Sequence, residues 1–315
     1  MLFALYVRDM SNDLHKSKLG VLLHKKCISC LFFADDIALI ARDADGLRLL
    51  LNIVQKHCKD MDLKLSIKKS KVMSTTQDLW ELFDGETMIG TFDKVLAFKY
   101  LGVELKLNPR KSAKVMMEKA RSCALSYKNA CLSLDHDGPD VVDLTLSLWL
   151  NVAMPSILFG CEVVPFSQAA IDDIDRLQSA LGKSTLGLPP CAPNISPSVV
   201  LGFPTFKEQL YAAQLRYLVT LFDQDENRWS KDALLDHLMG NWTSPYVNYM
   251  GEIQAELNLL IWPSTRKEVQ TSVESHFNER CNTSIEKLSL PALKPINRRE
   301  RMKHVNESRE SQVNL

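Results

Sequence analysis

The residues of this chain best suited to chemistry are Asp35 and Asp36, in the stretch Leu31–Ala41 that reads LFFADDIALIA. Two adjacent carboxylates stand between two apolar runs, and neither has a basic residue beside it in sequence. A charged carboxylate buried in such a setting needs a counter-charge, because desolvation otherwise forces it to neutralise. Two explanations compete. The pair can form a tight hairpin turn, where Asp bonds its own backbone, although ADD lacks the Gly or Asn such turns recruit. Alternatively it can offer oxygen ligands to a hard divalent cation, which would supply the missing charge.

The surrounding sequence says what would hold these carboxylates in place. LFF and IALIA read as two strands that meet at the acidic pair. In DADGLRLLLNIVQKHCKDM, the residues Leu47, Leu50, Leu51, Val54 and Cys58 fall on one helical face, with Asp43 or Asp45 as the cap. LKLSIKKSKVM follows as an extended segment with four lysines, Lys64, Lys68, Lys69 and Lys71. MIGTFDKVLAFKYLGVELKL then reads as short strands punctuated by Gly90 and Gly102.

Beyond Pro109 the pattern turns helical. Met116, Ala120, Cys123, Tyr127, Cys131 and Leu134 make an apolar stripe in KSAKVMMEKARSCALSYKNACLSL. Lys106 to Lys128 holds seven basic residues and one acid, Glu118. Lys111, Lys114, Arg121 and Lys128 recur at spacings that place them on the face away from that stripe. Such a face is either solvated or a phosphate-binding surface. Further helices are expected over about 141–158, in IDDIDRLQSALGKSTLG and in FKEQLYAAQLRYLVTLF. The pattern weakens after Gly240, and INRRERMKHVNESRESQVNL reads as a disordered tail.

Bulk properties narrow the choices. Lys+Arg and Asp+Glu both number 38, so nucleic-acid binding can be argued only from local clusters. Among the eight cysteines only CISC (Cys27, Cys30) forms a close pair, and no partner follows at zinc-site spacing. Reduced thiols in an intracellular, soluble protein are expected. LTLSLWLNVAMPSILFGC reaches the minimum membrane-spanning length of roughly 18 residues, but its Asn151, Pro155 and serines fit a core helix broken near Pro155. No membrane partner is expected.

FADD between apolar strands resembles the central acidic motif of reverse transcriptases, in the form used by LINE-type (non-LTR) retrotransposons. Neighbouring pieces are similar to that family in order. MLFALYVRDMSNDL resembles the end of its template-and-nucleotide helix, and LKLSIKKSKVM its Leu-x-Asn-x-x-Lys-Ser/Thr-Lys segment, with Ser66 where the family has Asn. FKYLGVEL resembles its primer-gripping hairpin. MPSILFGCEV, DRLQSALGKSTLGLP and VVLGFPTFKEQL resemble the helical region that follows. The likeness runs from about Leu2 to Leu238.

The resemblance implies RNA-directed DNA polymerisation by two-metal nucleotidyl transfer. Asp35 would bridge the ions (Mg²⁺ or Mn²⁺) and Asp36 would be a weaker ligand. Lys69 would lie near the incoming deoxynucleoside triphosphate. Tyr100, Leu101 and Gly102 would grip the primer, and Lys111, Lys114, Arg121 and Lys128 would follow the backbone of an RNA template and DNA primer. The family brings another essential Asp from a strand preceding the template helix. Asp9 and Asp13 match the connecting segment instead, so the metal site is expected to be incomplete, as in a fragment or decayed element. The expected fold is α+β: a truncated polymerase palm over 1–105, with antiparallel sheet and helices, then a helical thumb over 106–165. A helical extension over 166–240 and a poorly defined region over 241–315 complete it. The rival expectation is a non-catalytic nucleic-acid-binding remnant of a retroelement.

Overall fold

The computed structural model describes residues 7–23, 26–75, 80–84, 87–133, 141–202, 204–239 and 245–287. The stretches that carry Leu134 and the expected disordered tail, 296–315, lie outside the described residues. The fold is mixed α+β, with small sheets toward the N-terminus and helices after them. It divides into two compact units, one of residues 1–112 with 223–242, the other of 113–222 with 243–315.

In the first unit, helix α1 (Arg8–Lys16) leads into strands β1 (Val21–Leu23) and β2 (Lys26–Ile28). Strands β3 (Cys30–Phe33) and β4 (Asp36–Leu39) follow, then helix α2 (Ala44–Asp60). Asp43 is the cap of α2, its carboxylate accepting from the Gly46 N–H at 2.7 Å. The two sides of α2 serve two clusters. Leu50, Val54 and Cys58 pack with Met10, Leu14 and Cys30, while Leu47 and Leu51 cover Val72 and Phe92. The helical periodicity therefore places Leu47, Leu50, Leu51, Val54 and Cys58 against core, while Leu49 is exposed.

After α2, Leu63, Leu65 and Ile67 are half-buried and the residues between them exposed, the alternation of an extended chain. Extension ends earlier than expected. The Ser66 carbonyl accepts from the N–H groups of Lys69 and Ser70, both at 3.0 Å, and from the Ser70 hydroxyl, closing a turn. Strand β5 (Lys71–Val72) then pairs parallel with β7 (Thr87–Lys94), whose other edge pairs antiparallel with β6 (Trp80–Asp84). Gly90 lies inside β7 and does not end a strand. A Cβ there would come within 2.7 Å of Ile67 Cδ1, so glycine makes room for that side chain. Strands β8 (Ala97–Tyr100) and β9 (Val103–Lys106) form the last hairpin.

The second unit holds most of α3 (Pro109–Leu132). Met116, Ala120, Ala124 and Cys131 are its buried stripe, with Cys123 and Tyr127 half-buried. The apolar run 141–158 is α4 (Val141–Leu148), a π-helical turn (Trp149–Ala153) and α5 (Met154–Leu158). The helical path widens just before Pro155 and does not break there: Ala153 and Met154 keep helical dihedrals, and the π-helical turn accommodates the N–H that Pro155 lacks. Trp149, Ala153, Met154 and Ile157 are buried, so the run has a core-facing side.

The unit continues with α6 (Gln168–Thr185), α7 (Ser196–Leu201) and α8 (Phe206–Phe222). Glu208 caps the start of α8, its Oε2 accepting from the Thr205 N–H at 3.0 Å and from the Thr205 hydroxyl. Beyond residue 240, where the sequence pattern weakens, α10 (Pro245–Glu256) and α11 (Arg266–Lys287) form. Val269, Val273, Phe277 and Cys281 are the buried positions of α11, a narrow stripe on an otherwise polar helix. Helix α9 (Trp229–Met239) belongs to the first unit.

Candidate nucleic-acid and metal site

The acidic pair sits at the tip of the β3–β4 hairpin. The register pairs Cys30 with Leu39, Phe32 with Ile37 and Phe33 with Asp36, leaving Ala34 and Asp35 as a two-residue loop. Strand alternation turns Cys30, Phe32, Ile37 and Leu39 toward the core and sends Leu31, Phe33 and Asp36 outward. Both carboxylates are exposed. The hairpin-turn reading is therefore right for the backbone, and the premise of buried, unneutralised charge does not hold. Solvent serves both groups.

The loop stores strain at a telling place. Ala34 has φ +51°, a conformation that disfavours residues with a Cβ. The β8–β9 loop repeats the pattern, with Leu101 at φ +48° and Gly102 at φ +83° between the paired Tyr100 and Val103. Positive φ at both loop positions is the signature of a type I′ turn, for which Asn-Gly is the preferred pair and Leu a poor one. Leu101→Asn should therefore stabilise the hairpin by about 0.5–1 kcal/mol, read as a higher urea midpoint at unchanged slope. A lower midpoint would mean that the Leu101 side chain contributes packing that outweighs its backbone strain.

The two strained hairpins are electrostatic neighbours. The Tyr100 phenol is held above its usual range, first by burial and then by the Asp36 carboxylate. The field of the Asp36 carboxylate thus reaches a phenol more than sixty positions away in sequence. Lys69 is exposed in the Ser66–Ser70 turn. Apolar side chains are open around the hairpins as well: Phe33 is 60% exposed, Leu96 76% and Leu101 40%.

On α3, Lys111, Lys114 and Arg121 are exposed and Lys128 is half-buried. Lys114 lies 3.9 Å from Glu118, and Arg121 3.7 Å from Asp173 of α6. Exposed pairs at such distances contribute little and exchange readily for other anions. The face is basic but not bare.

Two histidines have partners contributed by distant segments. His57 Nε2 is 2.9 Å from Asp13 Oδ2, and His15 Nε2 is 3.6 Å from Cys30 Sγ. The second pair is not a nucleophile and its base. Burial pushes the Cys30 thiol up to about 11 and holds the His15 imidazole below its usual range, so both stay neutral at pH 7. No signal in the local sequence announces either pairing.

Residues 1–105, a third of the 315-residue chain, match the family model for reverse transcriptase (RNA-dependent DNA polymerase). No curated protein matches the chain. Reverse transcriptases use divalent ions and bind a template and primer. Among the described residues, no three His, Cys, Asp or Glu side chains gather into a group fit for a metal ion.

Proposed function

We propose that residues 1–105 are the palm segment of a LINE-type (non-LTR) reverse transcriptase, and that this chain engages primer–template without completing a polymerase centre. The observation that carries the proposal is the acidic hairpin, a strained two-residue loop with Asp35 and Asp36 exposed at its tip, matched by a second strained hairpin at Tyr100–Val103. Strain of this kind persists where a tip must be presented in one conformation. In this reading Asp35 and Asp36 are the carboxylates offered to Mg²⁺ or Mn²⁺, and Lys69 stands toward the triphosphate. Tyr100, Leu101 and Gly102 meet the primer end. Residues 106–165 act as the thumb and 166–240 as a helical extension, with Lys111, Lys114, Arg121 and Lys128 along the nucleic-acid backbone.

A second reading has a specific observation in its favour. The exposed basic side chains of α3, Lys111, Lys114 and Arg121, also fit a nucleic-acid-binding remnant of a retroelement that performs no chemistry. The two readings agree on binding and part on catalysis, so catalysis is the test. Losing a ligand of a two-ion centre removes positioning and charge stabilisation together. The purified 315-residue chain is expected to give no templated extension of a DNA primer on RNA with Mg²⁺ or Mn²⁺. Extension that Asp35→Asn abolishes would overturn that expectation and establish a complete centre.

A further inference from the structure

The reverse transcriptase match ends at residue 105, yet the first compact unit includes residues 223–242. Helix α9 packs against β1 and β2, and the contacts are specific. Asp232 is 4% exposed, and its carboxylate lies 2.7 Å from Lys26 Nζ of β2. The same ammonium donates to the Glu226 carbonyl at 2.7 Å and stands 5.9 Å from the centroid of the Trp229 ring. That ring also stacks on His15 of α1, centroid to centroid 5.0 Å. A buried carboxylate of this kind tolerates its position only while its cation is present.

These contacts reach the acidic hairpin in two short steps. The His15 ring that carries Trp229 also touches Cys30, the first residue of β3. Beyond β2, the Ser29 carbonyl accepts from the Ile40 N–H at 2.8 Å, and Arg42 Nε donates to the Gly20 carbonyl at 2.9 Å. The base of the β3–β4 hairpin is therefore tied to the β1–β2 hairpin that α9 covers. The Asp35–Asp36 tip stands at the other end of the same two strands.

We propose that residues 223–242 are a strap on the reverse transcriptase domain: the working domain is discontinuous, and α9 holds β1–β2 and the base of the acidic hairpin closed. Without the strap, Lys26, His15 and the outer side of β1–β2 lose their cover, and β1 through β4 open locally while the second unit stays folded. Opening of that kind is read by amide exchange. The experiment uses the full chain with Asp232→Asn, Lys26→Gln and the double variant. Exchange is followed at residues 21–39 and, as a control, at α6 in the second unit.

Either single variant is expected to speed exchange over 21–39 by about tenfold or more, with the double no faster than the faster single and α6 unchanged. Trp229→Phe, a milder change that keeps a ring over His15, is expected to speed the same amides by a smaller factor. Unchanged exchange over 21–39 in all four variants would overturn the proposal. Multiplicative effects of the two single variants would also overturn it, since Lys26 and Asp232 would then act independently. Equal acceleration in α6 would do the same, because the change would then be global.

Discussion

Trp149→Ala is expected to cost the second unit about 3–5 kcal/mol. The Trp149 side chain is 1% exposed and sits in the π-helical turn, facing α6. Its indole N–H donates to Gln178 Oε1 at 3.2 Å, and Gln178 is itself buried, its amide nitrogen donating to the Pro204 carbonyl at 2.9 Å. Alanine leaves a cavity that rigid helices cannot fill and also orphans the Gln178 oxygen. Trp149→Phe keeps one six-membered ring and loses the pyrrole ring with its donor, a smaller cavity, so its cost should be about 1–3 kcal/mol. Urea melts followed by circular dichroism separate the two variants. A loss below about 1 kcal/mol for Trp149→Ala would mean that the turn repacks around the gap.

Asp175→Asn should change how the stability of the second unit depends on pH. Burial pushes the Asp175 carboxyl up to about 7, and the Glu208 carboxylate adds to the rise. The Phe206 N–H, donating to Asp175 Oδ1 at 2.6 Å, and the Arg280 guanidinium pull the other way without winning. Arg280 is already engaged by Glu208, so two acids share one cation. The sign follows from linkage. Between the unfolded value near 4 and the folded value of about 7, the native state binds more protons than the unfolded one. The contribution is fully present below about pH 4 and is lost as pH rises through about 7, a difference on the order of 4 kcal/mol. Asparagine keeps the acceptor for Phe206 and cannot ionise. The variant should melt well above the parent at pH 8 and close to it at pH 4. Parallel melting curves across that range would contradict the assignment.

What could be read from sequence follows from how local each determinant is. The β3–β4 strands, the Asp43-capped helix, the basic face of α3 and the helices over 141–158, 168–185 and 206–222 rest on spacings within one segment, and each forms. The Thr205–Glu208 cap was legible in the same way, as Thr-x-x-Glu ahead of an apolar run. The exposure of Asp35 and Asp36 was not, because apolar neighbours in sequence do not decide which side of a two-stranded ribbon faces water. Leu31 and Phe33 turn outward with Asp36. Nor was the strap legible. Lys26 meets the Glu226 carbonyl across 200 positions, and the amphipathic pattern of α9 names no partner. Helix α11 gives little signal because five apolar residues in twenty-two make too thin a stripe to stand out.

Binding to primer–template duplex across a salt series tests the nucleic-acid reading most directly. Each phosphate contact on duplex DNA adds about 0.9 to the slope of log affinity against log salt. The 315-residue chain should bind weakly but measurably by fluorescence anisotropy at low salt, with a slope of about three from three or four contacts. Changing Lys111, Lys114, Arg121 and Lys128 to glutamine should lower both affinity and slope, with little effect on sequence preference. Asp35→Asn should leave binding nearly unchanged, since a hairpin tip of two carboxylates is no phosphate clamp. A four-site variant that binds as tightly as the parent, at every salt concentration, would contradict the account and leave that face of α3 a solvated surface.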